Sequence, residues 1–413
     1  MKILHISTTD VLGGAAIAAF RLHKTMISYG MASRMLVARR SNNENDSTIS
    51  EISKVKKVQR YFCRIFDYYY SKKHNDKGLY TTDLLGINIV NHKLVQEANI
   101  IYIHYINGFL SINQISKFIE LSQVKRIVFV LHDMWLLTGG CHHSFNCNNY
   151  RTQCSKCNII NSKYNRDLSY YIHSLKKRKW DKVANIYILS PSTWMKNNAK
   201  NSLLFSKAIN ISIPNPVNEN IFRPLNKENA KLRWNLPTDN KPIILFGAMA
   251  GVHNPYKGWM ELKKALNSLP HNIGHIVVFG SSYSQEIVES LEQNVYFVGH
   301  IKEEKDMALL YNTADVFVAP SLADNLPSTL IESMLCGTPV VSFKVGGIPD
   351  IVSHMNDGYL AQYRDVQDLA YGIDWVLKNY NTLSVNSIKN MHLKFSSKEI
   401  ITAHNKLIIN HGK

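Results

Sequence analysis

The chain has 413 residues, of which 45% are hydrophobic, 10% aromatic and 19% charged. This composition is ordinary for a folded protein and excludes a largely disordered chain, and the length is enough for about two domains. The sequence has no run of about 18 apolar residues, which is the length that a membrane-spanning helix needs.

The net charge of +17 belongs entirely to the first half of the chain. Residues 1–200 contain 29 Lys and Arg against 12 Asp and Glu, whereas residues 201–413 contain 19 of each. An excess confined to one half predicts an anionic partner there, such as a lipid headgroup surface, a phosphate-bearing acceptor or a nucleic acid. A solvated basic face is the alternative.

The N-terminal segment has the pattern of a buried strand, not of a signal peptide. The apolar run Lys2–Ser7 is followed by Asp10 and by the pair Gly13 and Gly14, which interrupt any longer apolar region. A helical stretch follows over Ala15–Tyr29. Because strand, glycine turn and helix begin an open parallel sheet, we expect a cytoplasmic α/β protein.

The same alternation along the chain predicts two doubly wound, Rossmann-like α/β domains that face each other across a cleft. Short apolar runs are bounded by polar or turn residues throughout the chain. They are Ile100–His104, Arg126–Leu131, Asn185–Leu189, Ile243–Gly247, His275–Gly280, Val295–Gly299, Val316–Ala319 and Pro339–Phe343.

The prolines of Ile213–Pro224 mark the domain boundary, because proline stiffens a linker and removes a hydrogen-bond donor. The predicted domains are residues 1–213, with a cysteine-rich insertion at 134–165, and residues 214–390. Residues 391–413 read as a final helix that could pack on either domain, including a return to the first.

Residues 54–73 have the pattern of a basic, aromatic amphipathic helix. Its apolar positions are Val55, Val58, Phe62, Ile65 and Tyr69, and its basic positions are Lys54, Lys56, Lys57, Arg60, Arg64, Lys72 and Lys73. Such a helix lies in a membrane interface, with rings at headgroup depth and cations on phosphates. We therefore predict an anionic membrane surface as a partner, on the inner face of the cell membrane. A surface helix packed on the first domain's sheet is the alternative.

The most informative stretch is Ala319–Phe343. A strand ends near Pro320, a loop holds Asp324, a helix begins near Ser328, and Glu332 lies about one turn into that helix. Helix N-terminal amides beyond a strand end suit a diphosphate, and two acids can accept hydrogen bonds from sugar hydroxyls. Acids near a helix start are also common as capping devices.

This stretch resembles the signature of glycosyltransferase family 4, a group of retaining enzymes with the two-domain GT-B fold. The family pattern is a proline-serine loop, an acid, seven residues, a glutamate and a Gly-Thr-Pro-Val run. It is matched by Pro320, Ser321, Asp324, Glu332, Gly337, Thr338, Pro339 and Val340. The family's first acid is usually glutamate, so Asp324 is one methylene shorter.

The resemblance implies roles for these residues. Asp324 would contact the donor sugar, and Glu332 would hold the ribose hydroxyls of the nucleotide. The backbone around Leu326, Pro327, Ser328 and Thr329 would face the donor diphosphate or sugar.

Further segments resemble the family over most of the chain. They imply that Gly299 begins the base-binding loop, and that Gly13 and Gly14 let the backbone approach the donor phosphates and acceptor. Residues 191–195 with 213–224 resemble the interdomain segment, and residues 345–352 resemble a glycine loop facing the cleft.

Two more residues are implied to act with Asp324 in catalysis. Lys257 resembles the lysine that neutralises the departing nucleoside diphosphate. His132, followed by Asp133 at the end of a strand, resembles the histidine beside the donor sugar, and His104 is a second candidate or a structural histidine. The arginine that family members carry before this lysine has no counterpart in residues 246–258. The family's mechanism is front-face attack with retention, and without an Asp-x-Asp motif no catalytic metal is expected.

Four cysteines lie within 17 residues and predict a structural zinc site: Cys141, Cys147, Cys154 and Cys157. Thiolates on a metal would hold an irregular loop with little core of its own. Free thiols and disulfides are alternatives, as are His142 and His143 as substitute ligands. The run from Trp135 to Cys141 resembles a subset of bacterial family members.

The predicted function is transfer of a sugar from a nucleotide-sugar donor to a glycan or lipid-linked acceptor, in bacterial surface polysaccharide biosynthesis (O antigen, capsule or exopolysaccharide). A nucleic-acid-binding protein is the rival that the basic half suggests. The sequence has no RNP, zinc-finger or helix-turn-helix signature, so no nucleic acid partner is expected. Other GT-B enzymes, a sugar-nucleotide epimerase or a glycogen-type phosphorylase, are further alternatives.

Overall fold

The computed structural model describes residues 1–41, 45–71, 78–247 and 254–409. The chain divides into two compact units, one formed by Met1–Pro216 with Lys398–Lys413, and the other by Val217–Ser397. Each unit is built on one parallel sheet. No helix in the described parts of the chain has both the length and the apolar character needed to cross a membrane.

The first unit contains a seven-stranded parallel sheet in the order β3-β2-β1-β4-β5-β6-β7. Its strands are β1 (Lys2–Thr9), β2 (Ala32–Arg39), β3 (Ile49–Glu51), β4 (Ile100–Ile103), β5 (Arg126–Val130), β6 (Tyr187–Ser190) and β7 (Ile209–Ser212). Its helices before the domain boundary are α1 (Gly14–Ser28), α2 (Lys54–Ser71), α3 (Lys93–Glu97), α4 (Ile112–Leu121), α5 (Leu168–Lys179) and α6 (Thr193–Lys200).

The second unit contains a six-stranded parallel sheet in the order β10-β9-β8-β11-β12-β13. Its strands are β8 (Ile243–Gly247), β9 (His275–Phe279), β10 (Val295–Gly299), β11 (Val316–Val318), β12 (Val340–Phe343) and β13 (Gly358–Ala361). Its helices are α7 (Lys227–Arg233), α8 (Trp259–Asn267), α9 (Gln285–Ser290), α10 (Glu304–Tyr311), α11 (Ser328–Leu335), α12 (Ile348–Ile351), α13 (Val366–Lys378) and α14 (Tyr380–Phe395).

The strands are apolar without alternation because both faces of each sheet are covered. In β8, Ile243 and Leu245 belong to the core on one face, and Ile244 and Phe246 belong to the core on the other. The strand order reverses between β1 and β4 in the first unit, and between β8 and β11 in the second. Ligands of open α/β sheets bind at such a switch point, beyond the carboxyl ends of the strands.

The final helix that the sequence predicted is present, but it begins later than residue 391. Helix α14 ends at Phe395, Ser396 takes an extended backbone conformation, and α15 begins at Ser397 and runs to Ile409. Helix α15 packs on the first unit, where Arg126 of β5 donates hydrogen bonds to the carbonyl oxygens of Leu407 and Ile408. The hydrophobic core on that side of the first sheet includes residues of α15.

Candidate functional site

The glycine pair after β1 leaves the start of α1 open. Gly13 has φ 95° and ψ 157°, a conformation that glycine adopts readily, and α1 begins at Gly14. No side chain caps this helix and its first turn carries no acid. A Cβ on either glycine would meet no described atom within 4 Å. The first amides of α1 are therefore placed where an anion could approach them.

His132 follows β5 and is the last of three histidines that lie side by side across neighbouring strands. His104 Nδ1 lies 3.0 Å from His132 Nε2, and His104 Nε2 lies 2.9 Å from His5 Nδ1. Burial lowers the pKa of His132 to about 4 and lowers the pKa of His5 and His104 well below the ordinary value. His132 is therefore a neutral imidazole at neutral pH. His5 was not a predicted site residue, and its only signal is a histidine inside an apolar strand.

Asp133 is held by a contact with His142 rather than exposed for chemistry. Its Oδ2 lies 2.6 Å from His142 Nδ1, and its Oδ1 accepts the backbone N–H of Trp135. Burial raises the pKa of Asp133, but His142, the backbone N–H of Trp135 and His143 together lower it by more, so the net pKa is lowered. His142 Nε2 contacts the hydroxyl of Thr81 at 3.1 Å. Both nitrogens of His142 thus have polar neighbours, and its role as a substitute metal ligand stays a prediction.

None of the four clustered cysteines forms a disulfide in this structure, and three of them pack in two different cores. Cys141 and Cys157 pack around Tyr80, whereas Cys154 belongs to the main core of the first unit and its Sγ accepts the N–H of Gly139 at 3.2 Å. A hydrogen bond between the two thiols raises the pKa of Cys141 and lowers that of Cys157. Within the described residues, no three His, Cys, Asp or Glu side chains are arranged to hold a metal ion. The zinc site stays a prediction.

A buried lysine binds the backbone at the start of the cysteine-rich insertion. The sequence pattern did not single out this residue. Lys176 of α5 is fully buried, and its Nζ donates hydrogen bonds to the carbonyl oxygens of Trp135 at 2.6 Å and Thr138 at 2.9 Å. Its ammonium also lies 3.6 Å from the centroid of the Trp135 ring. In sequence, Lys176 is one of four consecutive basic residues, and only the tertiary contacts distinguish it from the exposed Lys177.

In the second unit, the structure brings two predicted catalytic residues together. Lys257 Nζ lies 3.2 Å from Asp324 Oδ2, and both side chains are partly exposed. The turn that carries Lys257 is attached to the loop after β11, because the N–H of Leu322 donates to the carbonyl oxygen of Tyr256 at 2.8 Å. A cation and a carboxylate 67 positions apart in sequence thus share one site.

Two glycines make this close approach sterically possible. Gly258 has φ 62° and Gly346 has φ 58°, which are left-handed conformations that favour glycine. A Cβ on Gly258 would clash with the carbonyl oxygen of Pro320, and one on Gly346 would clash with the carbonyl oxygen of Asp324. Backbone from three loops is therefore packed tightly around Asp324.

Helix α11 begins directly after this loop, with its first amides uncapped by a side chain. Pro327 precedes Ser328, the first helical residue, and the first turn contains Thr329 and no acid. Leu326 packs into the core of the second unit and thereby anchors the loop before the helix. The start of α11 meets the requirements of an anion site: free backbone donors and the positive end of a helix dipole.

Glu332 lies on α11 and is buried. Its Oε2 accepts the hydroxyl of Tyr311 at 3.2 Å. Gly299 ends β10 with φ 72°, and a Cβ there would meet no described atom within 4 Å. Both residues lie in the second unit, as does the Lys257–Asp324 pair. The segment that lacks the expected arginine includes residues 248–253, which lie outside the described residues.

Comparisons with known proteins find similarity to glycosyltransferases, and the family match lies within the second unit. Residues 228–392 match the family described as glycosyl transferases group 1. A relative from Campylobacter jejuni, N,N'-diacetylbacillosaminyl-diphospho-undecaprenol alpha-1,3-N-acetylgalactosaminyltransferase, is 27% identical over 229 residues. That alignment covers 54% of this chain and 58% of the relative. The chain spans about half the length of the curated relatives that it matches first.

Solved structures are similar over nearly the whole chain. Sucrose-phosphate synthase from Thermosynechococcus elongatus has a TM-score of 0.66 at 19% identity, covering 99% of this chain and 98% of that one. The Anabaena protein HepE in complex with UDP has a TM-score of 0.64 at 15% identity, covering 99% of both chains. This likeness shows the fold and confirms the prediction of two Rossmann-like α/β domains, as in GT-B glycosyltransferases.

We expect the pH dependence of the unfolding free energy to show that the pKa of Lys176 is lowered in the folded protein. Burial lowers its pKa to about 7, below the value of about 10.4 in an unfolded chain, so folding releases a proton between these two pH values. The Lys176 contribution to the unfolding free energy therefore rises with pH from 7 to 10, by at most about 1.4 kcal/mol per pH unit. Urea unfolding at several pH values should show the wild type gaining stability relative to Lys176→Met.

The matched control is Lys177→Met, which changes an exposed lysine of the same helix. Lys177→Met should keep the pH dependence of the wild type. Parallel pH curves for the wild type and Lys176→Met would contradict the assignment.

Metal analysis tests the zinc prediction. A structural zinc should be found at about one atom per chain in purified protein, and Cys154→Ser should lower that content. Cys336→Ser, at a buried thiol of the second unit, should leave the content unchanged. Protein that carries no zinc after growth with zinc would contradict the prediction.

Proposed function

We propose that this chain is a retaining glycosyltransferase that moves a sugar from a nucleotide-sugar donor to a glycan or lipid-linked acceptor. The observation that carries the proposal is the Lys257–Asp324 pair beside the open start of α11, inside the region that matches glycosyl transferases group 1. The Campylobacter relative, whose name includes diphospho-undecaprenol, supports a lipid-linked acceptor in bacterial surface polysaccharide biosynthesis.

Lys257 and the start of α11 would act together on the donor diphosphate. Both present hydrogen-bond donors and positive charge, in the segments that follow the neighbouring strands β8 and β11, which is what a departing diphosphate requires. In the structure the charge of Lys257 is paired with Asp324. A bound diphosphate would share that lysine, and Asp324 would remain an acceptor for sugar hydroxyls.

The proposed reaction needs no nucleophilic side chain, because the acceptor oxygen attacks the anomeric carbon directly. The bond between the anomeric carbon and the diphosphate oxygen breaks while the acceptor oxygen bonds to the same face of that carbon. The acceptor's proton passes to the leaving diphosphate oxygen, and Lys257 stabilises the developing charge. His132 contributes as a neutral group, because its pKa of about 4 keeps it uncharged at neutral pH.

Donor binding tests this proposal. We expect a panel of nucleotide sugars to raise the melting temperature of the purified protein for at least one member. For that donor, Lys257→Met should weaken affinity about 10- to 100-fold, since a charge-assisted hydrogen bond contributes about 1.5–3 kcal/mol. Glu332→Gln should also weaken donor binding, because it removes the carboxylate proposed to hold the ribose.

The control for charge is Lys264→Met, at an exposed lysine of the neighbouring helix α8, which should bind donor like the wild type. Retention is checked by the coupling constant of the product's anomeric proton, which should report the configuration of the donor sugar. A protein that binds no nucleotide sugar and transfers none to any lipid-linked saccharide would overturn the proposal.

We also propose that α2 attaches the first unit to an anionic membrane surface. The described apolar side chains of this helix, Val58, Tyr61, Phe62, Ile65 and Tyr68, are between 48% and 64% exposed. A helix that packs on a sheet buries its apolar stripe, so these exposures favour the membrane interpretation. The side chains of Lys54, Val55 and Tyr69, and residues Lys72 and Lys73, lie outside the described residues.

Basic side chains of α2 hold the helix on the protein. Lys57 pairs with Glu51 at 2.6 Å, and Arg60 Nε donates to the carbonyl oxygen of Gly108 at 2.9 Å. Lys56 Nζ donates to the carbonyl oxygen of Asn88. The exposed aromatic side chains would enter the headgroup region, and the basic excess of residues 1–200 would attract the anionic surface.

Vesicle sedimentation tests the membrane proposal. The wild type should sediment with vesicles of phosphatidylglycerol and phosphatidylcholine, and less with phosphatidylcholine alone. Phe62→Glu with Ile65→Glu should reduce binding about tenfold or more, since it removes apolar contact and adds negative charge. Leu393→Glu, at an exposed leucine of the second unit, is the control and should bind like the wild type. No binding by the wild type at low salt would overturn the proposal.

A further inference from the structure

Three histidines form a continuous row across the first sheet. His5 lies in β1, His104 directly follows β4, and His132 follows β5, and these three strands are neighbours in the sheet. The row has two nitrogen-to-nitrogen contacts, 2.9 Å between His5 and His104 and 3.0 Å between His104 and His132. The ring planes are inclined by only 25° and 24°.

Neutral rings make the two contacts dependent on each other. Burial lowers the pKa of all three histidines, so each ring carries one proton at neutral pH. In each contact one nitrogen must donate and the other must accept. Because His104 uses both nitrogens and has only one proton, it donates to one neighbour and accepts from the other. The hydrogen bonds therefore run in a single direction along the row.

The inner end of the row decides that direction. His5 Nε2 is buried and has no hydrogen-bond partner among the described residues. The adjacent ring, His23, contacts two hydroxyls with its own nitrogens. If the row ran inward, His5 would bury an N–H without an acceptor, which native proteins rarely do. If it runs outward, His5 buries only an unused lone pair.

We propose that His5 and His104 are positioning residues that set the tautomer of His132. His5 donates from Nδ1 to His104 Nε2, and His104 donates from Nδ1 to His132 Nε2. His132 then carries its proton on Nδ1. Its Nε2 lone pair is occupied, so the ring acts as a hydrogen-bond donor and not as a base through Nε2. The tautomer follows from the histidine contacts and does not depend on the proposed function. Only its importance for sugar transfer rests on the proposed function.

Nitrogen NMR of the full-length chain, labelled with ¹⁵N in the histidine rings, tests the tautomer directly. Long-range ¹H–¹⁵N spectra at pH 7.5 distinguish a protonated ring nitrogen from an unprotonated one, and comparison with His132→Asn assigns the His132 signals. We expect His132 to show a protonated Nδ1 and an unprotonated Nε2. A protonated Nε2, or averaged shifts on both nitrogens, would overturn the proposal.

Two variants of His5 distinguish its role as the first hydrogen-bond donor of the row from its role in filling space in the core. His5→Phe keeps an aromatic ring but removes the first donor, so His132 should lose its single tautomer and show averaged shifts. His5→Asn keeps an amide N–H near the position of Nδ1–H, so it should preserve the tautomer. The control His404→Phe removes another buried histidine, which contacts the hydroxyl of Tyr102 at 3.0 Å outside the row, and should change nothing at His132. An equal effect of His404→Phe and His5→Phe would also overturn the proposal.

Transfer kinetics add the functional readout. His5→Phe should lower kcat about tenfold with little change in KM for the donor, and His5→Asn should restore most of the loss. Unchanged kcat in a His5→Phe protein whose tautomer is averaged would show that the tautomer does not serve transfer. A wild type without any transfer would fail the proposed function and leave the NMR result standing.

Discussion

The carboxyl ends of parallel strands all lie at one edge of a sheet, and every candidate site residue depends on this constraint. In the first unit, the strand order reverses between β1 and β4, so the loops after these strands diverge and leave room at that edge. The glycine pair, His104 and His132 all follow strands at this position. In the second unit, the reversal lies between β8 and β11, and the loop after β11 carries Asp324.

Close packing of the loops at this edge of the second sheet brings charged side chains and backbone amides together. Lys257 reaches Asp324 only because glycines at positions 258 and 346 let backbone approach the loop after β11. Helix α11 begins at Ser328, shortly after Asp324 in the same loop. A cation, a carboxylate and helix amides are thereby gathered within one unit, Val217–Ser397, which holds 15 Lys and Arg against 18 Asp and Glu and has a formal charge of −3. The positive character of this site is local and does not come from the overall charge.

The segment after His132 is irregular, and it is held both by apolar side chains that enter two cores and by buried polar groups. Residues 134–165 contain only short 3-10 turns, at Trp135–Leu137 and Asn149–Arg151, among their described elements. Buried polar groups hold the beginning of this segment: Asp133 with His142, and Lys176 with two backbone carbonyl oxygens. Polar contacts in a low-dielectric interior are directional, so they position the backbone next to His132 more sharply than apolar packing does.

The sequence by itself determined the fold class, nine of the thirteen strands that the structure describes, and the motif that carries Asp324 and Glu332, because apolar runs, glycine turns and residue spacing are local properties. Strands β2, β3, β7 and β13 were not predicted. It also predicted α2 over residues 54–73, which the structure has from Lys54 to Ser71. Only the tertiary structure showed that the apolar side chains of α2 are exposed and that Lys257 contacts Asp324. It also showed that His142 contacts Asp133, and that Lys176 and His5 are buried and form polar contacts near His132 and the segment that follows it. Each of these depends on which distant segments the sheet brings together. Contacts between residues far apart in sequence produce no periodic pattern of apolar and polar residues, so one sequence does not reveal them.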